Sequence, residues 1–281
     1  MATQNNYARY DGLEPGECAG IDGNRLHHAC LLHDTHEVKR ILENKSFDPN
    51  IRDVRGMTPL ATAAFYGAAP CIKELLADSR VNPDLLDRTG RTALIAAAES
   101  GHLNCVKALR KRSVLEHEEH GCNANALQTA ALNRHTDIVK YLARYIDPRE
   151  SNSLGQTALF YAAESGSLPC LRLLMTLSDV QAIDHDGCNA LMQAAKNGRL
   201  NVVMELLPMF SLNTKNNAGK DALAIAKQSQ KEGLNEDAQG LDDTIKFLTA
   251  YKHSMREMAI LSKMKSTQPT SLPAARQTAR I

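Results

Sequence analysis

GRTALIAAAESGHLNCVKAL, residues 90–109, is the stretch that decides the fold. Leu94 is followed three residues later by Ala97, and the same pair recurs along the chain. The leucines are Leu26, Leu60, Leu94, Leu127, Leu159, Leu191 and Leu223, spaced by 34, 34, 33, 32, 32 and 32 residues. Their partners are Ala29, Ala63, Ala97, Ala130, Ala162, Ala194 and Ala226. A period of this length marks a repeat protein, in which each unit buries its apolar face against the next.

Other columns keep the same step. Two residues before each leucine stand Asn24, Thr58, Thr92, Asn125, Thr157, Asn189 and Asp221. All are residues whose side-chain oxygen can accept a bond from an orphan N–H at a helix start. Pro59 follows Thr58 at the first helical position, where a missing N–H does no harm. Gly67, Gly101, Gly166 and Gly198 come seven residues after their leucines, where a left-handed residue ends a helix. Each unit therefore opens with a helix of about two turns. Twelve and fifteen residues after the leucine come apolar pairs, Val38 with Ile41 through Val203 with Leu206, which predict the buried face of a second helix. Polar turns such as LLDRTG and AIDHDG separate the units.

The segments GMTPLATAAFYG (56–67), GRTALIAAAESGHLNCVKAL (90–109), GQTALFYAAESG (155–166) and GCNALMQAAKNG (187–198) resemble the ankyrin repeat family. Within it, the TAL openings and the Cys or Val at the second helix resemble the large ankyrin families of protist parasites. The resemblance covers residues 20–251 and implies an all-α solenoid of about seven helix-turn-helix repeats joined by short hairpin-like turns. It also implies a non-enzymatic scaffold that binds a protein or peptide along a concave face. The chain departs from the pattern in repeat four, where GCNANAL is two residues longer than the GCNAL of repeat six.

Composition agrees with thin helical layers. Aromatics are 4% of the 281 residues and there is no Trp, so small aliphatics must fill the core. The chain carries 33 Lys and Arg against 32 Asp and Glu, without the basic excess of a nucleic-acid-binding domain. No apolar run approaches the length of a membrane span. The first twenty residues contain no apolar signal core, and seven cysteines are an odd number. Together these predict reduced thiols and a cytoplasmic location. Cys71, Cys105 and Cys170 share one repeat column, so periodicity accounts for them as structural residues. Neither the histidines around His27–His36 nor His117 and His120 have zinc-site spacing. His102 and His135 fall in the family's Gly-His column. Phosphate loops and nucleophile elbows are missing, so no cofactor, metal or catalytic residue is expected.

Repeat seven breaks the template. QSQKEGLNEDAQG is polar, and the apolar pair returns ten residues late as Ile245 and Leu248. The reading is a surface insertion between the two helices. The second helix should continue to about Lys265 as a C-terminal extension (252–265), its apolar stripe including Met255 and Met258. From 252 to 281 there are six basic residues and one acid. Residues 1–19 read as a flexible N-terminal segment and 266–281 as a disordered tail. The chain is expected to be monomeric, with dimerisation through the C-terminal helix as the alternative. An assembly or regulatory role through that amphipathic helix is the rival to concave-face binding.

The residues five and six after each leucine differ from repeat to repeat, so packing does not dictate them. They include Phe65 and Tyr66, Glu99, Leu132 and Glu164. The turns before repeats two and three add Arg55, Met57, Arg88 and Arg91, with Val54 beside Arg55. Two adjacent aromatics on one helix should not both fit a narrow core. Phe65 and Tyr66 are therefore expected to anchor a partner over repeats two to four, with Arg55, Arg88 and Arg91 steering it. No nucleic acid or membrane partner is expected.

Overall fold

The computed structural model describes residues 21–113, 124–233 and 237–266. The N-terminal segment, the elongated turn of repeat four with His117 and His120, and the tail after 266 lie outside these residues. Among the described residues fourteen α-helices form seven successive pairs. They are α1 (Ile21–Leu31) with α2 (Thr35–Leu42), α3 (Pro59–Phe65) with α4 (Ala69–Ala77), and α5 (Ala93–Glu99) with α6 (Leu103–Leu109). Next come α7 (Ala126–Leu132) with α8 (Thr136–Leu142), and α9 (Ala158–Ser165) with α10 (Leu168–Met175). The last are α11 (Ala190–Lys196) with α12 (Leu200–Leu206), and α13 (Ala222–Glu232) with α14 (Ala238–Ser266). First helices pack on first helices and second on second, giving two parallel rows. Among the described residues there is no β-strand. Two isolated bridges, Ser151 with Thr157 and Ile183 with Asn189, mark the turns.

The helix starts follow from local chemistry. Thr58, Thr92, Asn125, Asn189 and Asp221 each accept a bond from the backbone N–H three residues on. Asn125 and Gln128 cap each other reciprocally. Two positions depart from the expected caps. Thr157 makes no side-chain cap bond. Asn24 lies inside α1, which begins four residues earlier than the repeat template.

The alanine column forms the seam of the first-helix row. Ala63, Ala97, Ala130, Ala162, Ala194 and Ala226 have no exposed surface, and the second-helix pairs are buried beneath them. A methyl group is all that the close approach of neighbouring helices admits, because the interior is already packed to crystal density. Ala97→Leu should therefore lower stability by about 1–3 kcal/mol through overpacking. An unchanged urea midpoint would place Ala97 outside the seam.

In repeat seven the inserted residues take largely helical form. α13 runs to Glu232, about one turn longer than the other first helices after α1, and ends on left-handed Gly233. α14 is already helical at Ala238. Most of QSQKEGLNEDAQG is thus absorbed into the two helices. α14 packs on α12 and α13, burying Leu241, Thr244 and Leu248. Lys252 Nζ holds Asp221 Oδ2 at 2.5 Å, tying α14 to the N-terminus of α13.

Candidate functional site: the turn tips and the first-helix row

The turns are built by a residue column that the sequence reading missed. Asp53, Asp87, Asn152, Asp184 and Asn216 each stand seven residues before a repeat leucine. In each, Oδ1 accepts two backbone N–H bonds from residues two and four further on. For Asp87 these come from Thr89 (2.8 Å) and Arg91 (3.0 Å). For Asp184 they come from Asp186 (3.0 Å) and Cys188 (2.8 Å). Burial raises the Asp87 carboxyl, but its bonds from Thr89 and Arg91 outweigh that, and its pKa is lowered overall. Tips then join repeat to repeat: Arg88 N–H donates to the Arg55 carbonyl at 3.1 Å, and His185 N–H to that of Leu154 at 3.0 Å. The signal was present in the sequence as a polar residue at constant phase.

The C-termini of the first helices carry a second column. Residues seven after the leucine are left-handed in six repeats: His33, Gly67, Gly101, Arg134, Gly166 and Gly198. His33 and Arg134 hold this conformation without being glycine, which the glycine pattern did not show. Their side chains reach the next repeat. His33 Nε2 lies 3.0 Å from the Tyr66 carbonyl oxygen, and the Arg134 guanidinium donates to that of Ser165. His135 Nε2 meets the Glu99 carbonyl at 2.9 Å, and Arg199 Nε donates to that of Glu164 at 2.8 Å. The His102 ring lies over Gly67, where a Cβ would come within 2.8 Å of it. Burial lowers the pKa of that imidazole despite its hydrogen bond with the backbone of Phe65. These side chains are clamps between repeats.

The nine predicted partner-binding residues fall into distinct environments. Met57 is a correction: at 1% exposure it is one of the largest fully buried side chains, and its carbonyl oxygen meets His27 Nε2 at 3.0 Å. Repeat one covers the turn that the isolated sequence of repeat two leaves open. Phe65 and Tyr66 are both half-buried, their rings edge to face at 5.2 Å. Phe65 packs on the core and the Tyr66 hydroxyl is buried, so neither aromatic stands free as expected. Phe160 and Tyr161 go further, for both are buried side by side. Tyr161 manages this because its hydroxyl accepts from Asn152 Nδ2 at 2.9 Å at the layer's rim.

Arg91 is half-buried between Asp87 Oδ2 (2.9 Å) and Glu99 Oε2 (2.5 Å), so its positive charge is fully engaged within the fold. Arg88 is exposed and Arg55 half-buried at adjoining tips. Glu164 is half-buried and accepts from Gln193 Nε2 at 3.0 Å. Leu132 is exposed at the end of α7. Val54, named with Arg55 and Met57 in the turn before repeat two, is exposed; Leu154 and Ile183, also exposed apolar residues in the turns, were not singled out from sequence. An apolar residue within a polar turn was the available signal.

All five described cysteines are free thiols. Burial raises the pKa of Cys30 and Cys71 and pushes Cys105 up to about 12. No group of three or more His, Cys, Asp or Glu among the described residues is arranged to hold a metal ion. No described helix is long and apolar enough to cross a membrane.

This architecture, two rows of short helices with hydrogen-bonded turn tips, defines a repeat solenoid. A family model of ankyrin repeats (3 copies) matches residues 26–119 and 111–184, more than half of the chain, and the chain belongs to the ankyrin repeat family. Its fold is similar to that of two solved ankyrin repeat domains. One is from Bcl-3, a member of the IkappaB protein family, at 25% identity and TM-score 0.61, covering 72% of this chain and 92% of that one. The other is from human ASB11, at 22% identity and TM-score 0.63, covering 78% and 96%. Ankyrin repeats are protein–protein interaction modules.

Proposed function

We propose that this chain is a non-enzymatic binding module that holds a protein or peptide partner along its first-helix row and turn tips. The observation that carries this reading is a contrast between columns. The alanine column is invariant and buried, as is the leucine column except for the half-buried Leu223 of repeat seven, whereas the tip and helix-end positions vary and expose Val54, Leu132, Leu154 and Ile183. Apolar side chains left in solvent at positions that packing does not dictate are the material of an interface core. Phe65 and Tyr66 contribute their half-exposed rings, and Arg55 and Arg88 supply positive charge beside them. Aromatic and Arg residues are the ones whose truncation weakens interfaces most, by about 2 kcal/mol or more at a hot spot.

The test is the double variant Phe65→Ala/Tyr66→Ala, folded by circular dichroism, compared with the wild type in quantitative affinity capture and mass spectrometry. At least one protein held by the wild type should be lost. A folded variant that captures the full set would overturn the site. A second reading, an assembly or regulatory role through the C-terminal helix, is favoured by Met255, Met258 and Ile260, exposed at 48%, 54% and 58%. A chain ending at His253 keeps the Lys252–Asp221 pair and should lose partners only under that second reading.

A further inference from the structure

The opposite face of the stack carries a charge pattern that the first-helix row does not explain. Along the second-helix row, the residue thirteen after each leucine faces the residue fourteen after the next leucine. Two of these crossings are ion pairs: Lys39 with Glu74, at 3.4 Å between α2 and α4, and Arg172 with Glu205, at 3.0 Å between α10 and α12. Three others have the cation without its acid. Lys73 on α4 faces the position of Ala108 on α6, Lys107 on α6 faces Tyr141 on α8, and Lys140 on α8 faces the position of Leu173 on α10. Lys107 Nζ lies 5.8 Å from the Tyr141 ring centroid, and Arg110 Nε fixes that ring by donating to its hydroxyl at 3.1 Å. Lys73, Lys107 and Lys111 make no ion pair among the described residues, and all three are exposed.

These residues line an open groove of about 930 Å³ between α4 and α6. Its walls are Lys73, Lys107, Lys111 and Arg112, and no lining residue is acidic. Its floor is apolar, made by Leu76, Ala108 and neighbouring small side chains. The single acid of α4, Glu74, is already engaged by Lys39 on the far side. A basic wall over an apolar floor in a chain of near-zero net charge is a local concentration, not a general basic surface. Phosphate backbones would meet the lysines and leave the floor unused. An acidic peptide segment with interspersed apolar residues satisfies both.

We infer that the groove between α4 and α6 docks an acidic, partly apolar segment of a partner protein, whose carboxylates complete the ion pairs that Lys73 and Lys107 lack. Charge complementarity of this kind sets specificity and association rate, and it weakens as salt screens it. The site is separate from the turn tips, so either can fail alone.

The probe is a fluorescein-labelled peptide of repeated Glu-Leu-Glu-Ala units, read by fluorescence anisotropy with the full chain at low salt. Saturable binding should appear and weaken by about tenfold on raising salt well above physiological strength. Ala108→Glu places the missing carboxylate opposite Lys73 and should weaken the peptide by about tenfold without loss of thermal stability, as surface ion pairs add little. Lys73→Gln/Lys107→Gln should weaken it likewise, while Phe65→Ala/Tyr66→Ala should bind as the wild type does. The proposal is overturned if Ala108→Glu binds undiminished, or if a Gln-Leu-Gln-Ala peptide binds equally well. It is also overturned if the Glu peptide does not bind while polyuridylate or phosphatidylserine vesicles do.

Discussion

Gly198→Ala should detach the C-terminal helix from the stack. Gly198 ends α11 at φ +67°, and an added Cβ would stand 2.6 Å from the Leu241 backbone nitrogen and 2.8 Å from its Cα. The obstruction is backbone, so no side-chain rotation relieves it. α14 must move, which exposes Leu241 and Leu248, both buried. Returning two leucines to water costs about 3 kcal/mol or more, added to about 1 kcal/mol for a side chain in the left-handed region. Gly219→Ala is the matched control. Gly219 has φ +72°, but nothing lies within 4 Å of its Cβ position, so only the conformational term of about 1 kcal/mol applies. Urea unfolding should separate the two variants, and limited proteolysis should cleave α14 in the first only. Equal losses would show that the close approach of α14 contributes nothing.

Asp184→Ala should be nearly as damaging, although it removes no apolar contact. Its carboxylate is almost wholly buried and satisfies the N–H groups of Asp186 and Cys188. Hydrogen bonds to a charged group contribute about 1.5–3 kcal/mol each, and buried donors left unmade are penalised further. A loss of about 2–4 kcal/mol is expected on that basis. Asp184→Asn keeps the acceptor oxygen, as Asn152 and Asn216 do in the flanking repeats, and should lose under about 1 kcal/mol. If the Asn variant unfolds as early as the Ala variant, the turn bonds are not the source of the stability.

Both variants act where neighbouring repeats meet, and the same boundary separates what was readable in the sequence from what was not. The helix pairs were legible because their causes are local. Leucine and alanine recur at constant phase, Thr58 or Asn189 caps the helix that follows, and Gly166 ends the one before. The ankyrin fold follows from that period, since units of this size can bury their apolar faces only by stacking. Within the candidate site, the variable tip and helix-end columns were visible for the same reason.

The state of individual side chains was not visible, because it depends on the repeat above or below. Met57 sits in a turn like Arg91 and Cys188, yet His27 of repeat one closes over it. Tyr66 looked like a free anchor until stacking buried its hydroxyl. Arg91, expected to be free for a partner, is held by Asp87 and by Glu99 eight residues away. The missing acid opposite Lys73 appears only when α4 and α6 lie in register. Sequence by itself determined the period, the caps and the alanine seam, because each is written as one class of residue recurring at constant phase. Only the tertiary structure decided which side chains remain in water, because burial is set by atoms about thirty residues away in the chain and one helix diameter away in space.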